Sequence, residues 1–383
     1  MSILNNKKFR DIASQFIVVV GLVLFIWHIM SNLQHNIDVR GITTGFAFFS
    51  DKAGFGISES PISYSENSTY FRAFLVGLVN TIYVSFVGIF FASIIGILVG
   101  VGRLSKNFLI AKLSLFYVEF FRNIPLLLQI LFWYNVVLAA LPSPKQSIGL
   151  GSDMFLNNRG LFVPKPIFES EFILIALFFF IAIAITIFMY RWAKIKFEET
   201  GKEYILFPWA VLIIIGLPLV VYYMSGSPMH FDYPTLKGFN FKGGMSYSPE
   251  FLALAFALSV YTASLIAEAV RSGIEAVQKG QKEAAASLGL TSYQSLKLVV
   301  LPQAIRISIP PILGQFLNLI KNSSLATAIG YPDIVTVFSG TVLNQTGQAI
   351  EIIAVTMAVY LTISLVVSFI LNIVNKKLAI KER

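Results

Sequence analysis

The sequence predicts an all-α polytopic membrane protein of about eight transmembrane helices, and three observations carry that prediction. Of 383 residues, 56% are hydrophobic and only 13% charged, with a mean hydropathy of +0.74; a water-soluble globule of this length does not have that composition. The apolar residues gather into runs long enough to cross a hydrocarbon layer, for which about 20 suffice. Lysine and arginine fall between these runs and form no single patch.

In chain order the runs are 12–30, 73–101, 125–141, 172–190, 205–224, 251–270, 299–320 and 350–374. The first follows Lys7, Lys8 and Arg10 as a signal peptide would, but it holds about 19 apolar residues and lacks a small-x-small cleavage site near Ser31, so it reads as an uncleaved anchor. The polar stretch 31–71 reads as an extended surface loop. Eight spans put both termini on one side. With the N-terminus inside, inner segments carry 18 of the 29 lysines and arginines, among them Arg103, Lys106, Lys112, Arg191 and Lys194, although the outer loops are longer. That bias predicts cytoplasmic N- and C-termini. It also accounts for the net charge of +9, which then requires no nucleic-acid surface.

Without cysteine, the chain has no disulfides and no thiolate-bound metal. His28 and His35 lie at one end of the first run and His230 in a loop, which leaves no paired-imidazole metal site. No Ser–His–Asp set or carboxylate pair is placed for catalysis, so the chain reads as a non-enzyme with no catalytic or metal-binding residues. Aromatic residues in the outer segment 231–247 read as a membrane-interface belt, with docking of a binding protein as the alternative.

The inner loop 271–298 is the informative one. Residues 281–288 are good helix formers, Gly289 is a natural C-terminal stop, and Thr291 with Gln294 has capping-box spacing for a second short helix. Ala284, Ala285 and Leu288 fall on one face of the first helix, small enough for another protein to approach closely. Glu283, Ala284 and Ala285, three residues, Gly289, nine residues, Val299, one residue, then Leu301 and Pro302 resemble the E-A-A, x3, G, x9, I, x, L-P pattern of permeases in binding-protein-dependent ABC importers. Val299 stands where that family has isoleucine. FRNIPLLLQ at 121–129, the stretch 261–285, and IKNSSLATAIG at 320–330 are similar to the polar amino acid branch. The resemblance covers roughly 74–372. The additions before 73 and at 142–250 resemble the larger permeases of general L-amino acid importers.

The resemblance implies a type I ABC importer permease core in a bacterial inner membrane. It divides the chain into 1–72 (tail, anchor and periplasmic loop), a permease domain at 73–374, and a tail at 375–383. Within the permease domain, 142–250 is an insertion with two extra spans and 279–302 is the coupling loop. The implied partners are two ATP-binding subunits, a sister permease and a periplasmic amino-acid-binding protein. ATP and magnesium would be bound by the partners, and the sequence supports this independently, because no G-x4-G-K-[ST] phosphate loop is present. The alternative is an ion-coupled secondary amino acid transporter, for which no midplane ion ligands or inverted repeat are evident.

Polar residues inside the runs mark a candidate substrate path. Glu119 and Arg122, at i and i+3, can pair near the break expected at Pro125. Glu268 and Arg271 read as an orienting pair. Arg306 lies where a charge is costly and is expected to snorkel or to meet a partner. Pro310 and Pro311 are expected to break their helix, freeing the carbonyls of Arg306 and Ile307. Lys321, Asn322, Ser323 and Ser324 follow with a cation and small hydrogen-bonding groups suited to an amino acid zwitterion.

Overall fold

The computed structural model describes residues 7–41, 44–202 and 204–378; 1–6 and the end of the predicted tail, with Lys381 and Arg383, lie outside the described residues. The helices are α1 (Lys7–Arg40), α2 (Tyr70–Gly102), α3 (Phe108–Asn123), α4 (Leu126–Phe132), α5 (Phe172–Thr200), α6 (Phe207–Met224), α7 (Pro249–Glu275), α8 (Lys279–Ser287), α9 (Ser292–Ser295), α10 (Leu301–Asn322), α11 (Leu343–Thr346) and α12 (Ala349–Leu378). Among the described residues seven helices are long and apolar enough to span a membrane, or eight if the pair bent by 99° between Phe108–Asn123 and Leu126–Leu138 is one span. That bend corrects the third predicted span, which began at Pro125 and left out α3. Proline supplies no N–H and disfavours helical geometry in the residue before it, and Ile124 is extended at φ −96°, ψ 126°.

The chain divides into two compact units, Met1–Leu131 with Ala253–Arg383, and Phe132–Leu252. In the first, α2 is apolar all round, so its buried side is chosen by size. Gly77, Thr81, Ser85, Gly88, Ala92, Gly96 and Gly100 recur on the buried face. A Cβ at Gly96 would lie 2.7 Å from Ile266 Cβ, and one at Gly100 would lie 2.8 Å from the Ala267 carbonyl oxygen. Small residues thus let the α2 and α7 backbones approach, which is how helices associate where lipid removes the hydrophobic drive.

At the other end of α2 a buried polar cluster ties three segments together. Asn80 Nδ2 donates to Glu59 O at 2.8 Å and Pro332 O at 2.9 Å, Ile334 N donates to Thr81 Oγ1 at 3.0 Å, and Tyr331 Oη donates to Asn80 O at 3.3 Å. Asp333 is fully buried here and accepts from Thr336 N at 2.8 Å. The segment expected as a loose loop at 31–71 is more ordered than its polarity suggests. α1 continues to Arg40, and Phe48 and Ala53 are buried in a cluster with Tyr70, Ile334 and Phe338. Apolar side chains at wide spacing pack it down, and a run-length reading does not register them.

The second unit is not purely helical. The α5–α6 hairpin carries a small β structure with sheet order β1-β2-β3-β8, a β4–β5 pair and a β6–β7 pair, where β1 is Ile148–Gly149, β2 Phe155–Asn157, β3 Gly160–Val163, β4 Lys165–Phe168, β5 Met229–Asp232, β6 Thr235–Lys237, β7 Asn240–Lys242 and β8 Met245–Tyr247. Its centre is aromatic: the Phe241 ring stacks on Phe155 at 4.8 Å and Phe162 at 4.9 Å. Phe241 is therefore a core residue and leaves the interface-belt reading of 231–247, whereas Phe231, Tyr233 and Phe239 are exposed as that reading expects. The pairing of β3 with β8 joins segments on either side of the hairpin, a long-range contact that periodicity cannot reveal.

Candidate functional site

The loop predicted at 279–302 folds as its local chemistry requires. α8 ends at Ser287 with Leu288 as its cap, and Gly289 just beyond lies in the left-handed region at φ +73°; two bonds close the stop, Gly289 N donating to Ala286 O at 2.9 Å and Leu290 N to Ala285 O at 3.2 Å. That is a Schellman motif, which favours glycine. Thr291 and Gln294 form the predicted capping box at the start of α9. A π-helical turn, Leu296–Val300, then leads through Val299 into α10.

The predicted face divides. Ala284 and Leu288 are exposed, Leu288 at 80%, whereas Ala285 is buried at 2%. Successive residues on a helix are about 100° apart, so Ala285 faces the protein's own body and only the i, i+4 pair faces out. Glu283 is exposed and pairs with Lys279 at 3.7 Å. Leu301 and Pro302 are exposed at the start of α10, and Gln303 Nε2 reaches Gln281 Oε1 at 3.4 Å. The arrangement presents a leucine beside an alanine on a short helix whose other side is fixed to the body, a shape suited to seating in a partner's groove.

The second feature is a cavity of about 420 Å³ lined by one face of α7 (Leu265, Glu268, Ser272, Gly273), by Ile307, Pro311 and Gln315 of α10, and by Arg122. α10 runs continuously through Pro310 and Pro311, so the predicted helix break does not form. Pro311 cannot donate to the Ile307 carbonyl in any case, and both residues line the cavity, where water can satisfy that group. Arg122 reaches the cavity from the last turn of α3. Gln129, buried at 4%, fixes that turn by donating from Nε2 to Phe121 O and Ile124 O, each at 2.9 Å. These carbonyls lie at the α3–α4 break, where helical partners run out. Sequence reading quoted Gln129 within its motif without giving it this role.

Glu119 does not pair with Arg122; its carboxylate accepts from Asn123 Nδ2 at 3.2 Å. The predicted Glu268–Arg271 pair is present at 2.5 Å, and Glu268 is also bound by Arg103 from the end of α2, while Arg271 also holds Glu275. Arg103 was not foreseen. Arg306 is exposed and unpaired among the described residues. Of the later segment, Ser323 and Ser324 turn their hydroxyls back onto Ile320 O and Lys321 O, each at 2.7 Å, and Lys321 is exposed. Asn322 lies seven residues beyond Gln315 on α10, so the two share a face. The cavity is lined by Arg122 but not by Lys321–Ser324.

Comparison with known proteins bears on these features. Residues 203–380 match the family described as binding-protein-dependent transport system inner membrane component. Over 378 residues the chain is 51% identical to the putative amino-acid ABC transporter permease protein YhdX of Escherichia coli (strain K12), covering 99% of this chain and 96% of that one. It is 50% identical over 382 residues to the general L-amino acid transport system permease protein AapQ of Rhizobium johnstonii, covering 100% and 95%. With the glutamate/glutamine/aspartate/asparagine transport system permease protein BztB of Rhodobacter capsulatus it shares 36% identity over 410 residues, covering 99% and 96%.

Proposed function

The chain belongs to the binding-protein-dependent transport system inner membrane components and is a permease subunit of an amino acid ABC importer; from that premise we propose how its residues divide the work. ATPase and binding-protein partners follow from the family, which displaces the ion-coupled alternative. The further reading is two ATP-binding subunits that hold ATP and magnesium, a sister permease, and a bacterial inner membrane location with both termini cytoplasmic. The two-to-one bias of basic residues toward one side supports that orientation.

The coupling step is assigned to the α8 face. The observation that carries it is the exposure of Ala284 and Leu288 on a helix stopped by Gly289 and fixed through buried Ala285. Seated in a groove of the ATP-binding subunit, α8 would transmit ATP-driven closure, with Glu283, Leu301 and Pro302 around its rim. The substrate path is assigned to the cavity and to the same face of α10 beyond it, from Gln315 to Asn322, with Lys321, Ser323, Ser324 and Glu119 flanking. Arg122 would meet the α-carboxylate, and Ser272, Gln315 and the Ile307 carbonyl would meet the ammonium. The substrates are L-amino acids of broad or polar side chain, as for the relatives.

Affinity purification of the tagged complex tests the coupling step. Ala284→Arg is expected to lose the ATP-binding subunit while retaining the sister permease, and to abolish uptake. Full recovery of the ATP-binding subunit with normal uptake would refute the assignment.

A further inference from the structure

The cavity contains two charged groups, Arg122 and Glu268, which as a pair would leave it neutral. The surroundings of Glu268 change that count. α2 and α7 touch backbone to backbone at Gly96 and Gly100, and directly beyond this contact Arg103 turns onto the Glu268 carboxylate. Arg271 takes the other carboxylate oxygen at 2.5 Å and shares its own charge with Glu275. Glu268 and Glu275 are thus balanced by Arg103 and Arg271. Arg122 has no carboxylate within 4.0 Å among the described residues, and Glu119, one turn before it, is engaged by Asn123 and does not line the cavity.

We propose that Arg103 is a specificity-determining residue: by neutralising Glu268 it leaves the cavity with the single uncompensated charge of Arg122, so that the permease passes acidic side chains in preference to their neutral isosteres. This rests on the assignment of the cavity to the substrate path. Arg103 does not touch substrate; it acts through Glu268. Glutamate and glutamine share a shape and differ by one charge, so comparing them isolates the electrostatic effect. At a separation on the order of 8 Å in a water-filled cavity, one unit of lining charge shifts that comparison by about twofold.

The test uses the complete importer in proteoliposomes with its ATP-binding subunits and binding protein, and measures uptake of glutamate and glutamine, each at saturating binding-protein occupancy. Arg103→Gln exposes the Glu268 charge and is expected to lower the glutamate-to-glutamine ratio about twofold. Glu268→Gln adds positive charge and is expected to raise the ratio by a similar factor. The double variant restores the original net charge and is expected to return the ratio to that of the unaltered protein even if total uptake is reduced. A purely structural pin predicts otherwise: both single variants would slow the two amino acids equally, and the double variant would bring no return. That result overturns the proposal. Arg122→Gln separates the two levels. If it leaves uptake of both amino acids unchanged, the cavity is not on the path and the proposal falls with that assignment. If it impairs uptake while the Arg103 and Glu268 variants leave the ratio unmoved, only the role of Arg103 is refuted.

Discussion

Asp333→Asn offers a pH-dependent test of the polar cluster that binds α2 to the segment 331–336. The Asp333 side chain is fully buried and lies outside the membrane-spanning helices. Thr336 N donates to it at 2.8 Å and Tyr360 Oη approaches at 3.5 Å, but no lysine, arginine or histidine pairs with it among the described residues. Burial outweighs those hydrogen bonds and pushes its pKa from the ordinary 3.8 up to about 6. A raised carboxyl pKa means the folded state holds its proton longer than the unfolded state. The associated stability is therefore complete below about pH 4 and is lost as pH rises through about 6. At 1.36 kcal/mol per pH unit the loss by pH 7.5 is about 3 kcal/mol. Asparagine keeps the acceptor for Thr336 N and cannot ionise. Hydrogen exchange of a peptide spanning 331–342, corrected for intrinsic rates, is expected to show about a hundredfold greater protection in Asp333→Asn at pH 7.5 and near equality at pH 4. Equal protection at both pH values, or a loss at pH 7.5, would show that the carboxylate is compensated in the folded state and that the reasoning from burial is wrong.

Three further outcomes follow from packing. Gly100→Val places side-chain atoms against the Ala267 carbonyl, 2.8 Å from the position of the Cβ alone, and is expected to reduce the amount of assembled complex recovered from membranes, whereas Gly216→Val, where no heavy atom lies within 4 Å, leaves it unchanged. Gln129→Leu removes both donors to the α3–α4 break at a cost of about 2 kcal/mol, expected as a lower thermal midpoint and a raised KM for uptake through misplacement of Arg122. Gly273→Ala drives a Cβ into the Ser308 hydroxyl; ATP hydrolysis uncoupled from uptake is expected, with partial recovery in Gly273→Ala/Ser308→Ala, since removing the hydroxyl leaves contacts of 3.0 Å.

Features set by adjacent residues were legible in the sequence. The Thr291–Gln294 box, the Gly289 stop, the break at Pro125 and the Glu268–Arg271 pair each need at most four residues of context, and each is present in the structure. Features that join distant segments were not. Arg103 meets Glu268 across 165 positions, and β3 meets β8 across a whole hairpin. The small residues of α2 lie in between, because the four-residue recurrence of Ala92, Gly96 and Gly100 is visible in the sequence but the helix they receive is not. The prolines misled for a different reason. Two missing N–H groups in α10 suggest a broken helix, yet the backbone stays helical, and at Ile307 the cavity supplies an alternative for the freed carbonyl. Ala285 misled because i and i+1 were assigned to one face of a helix that turns by about 100° per residue.

If α8 is the coupling helix proposed above, its position would let movement there act on the cavity. α8 and α9 are the covalent link between α7 and α10, and α7 and α10 are the two main walls of the cavity. At Gly273, itself a lining residue, a side chain as small as alanine would strike Ser308, so the two walls meet there in a backbone-to-side-chain contact. α7 is also held from behind by α2 through Gly96, Gly100 and the Arg103–Glu268 pair. α10 carries two prolines at the level of the cavity without a break in its helix, and it too packs on α2, where a Cβ at Gly88 would lie 3.3 Å from Leu319. Closure of the cavity would bring Ile307, Pro311 and Gln315 of α10 and Arg122 and Glu268 closer together.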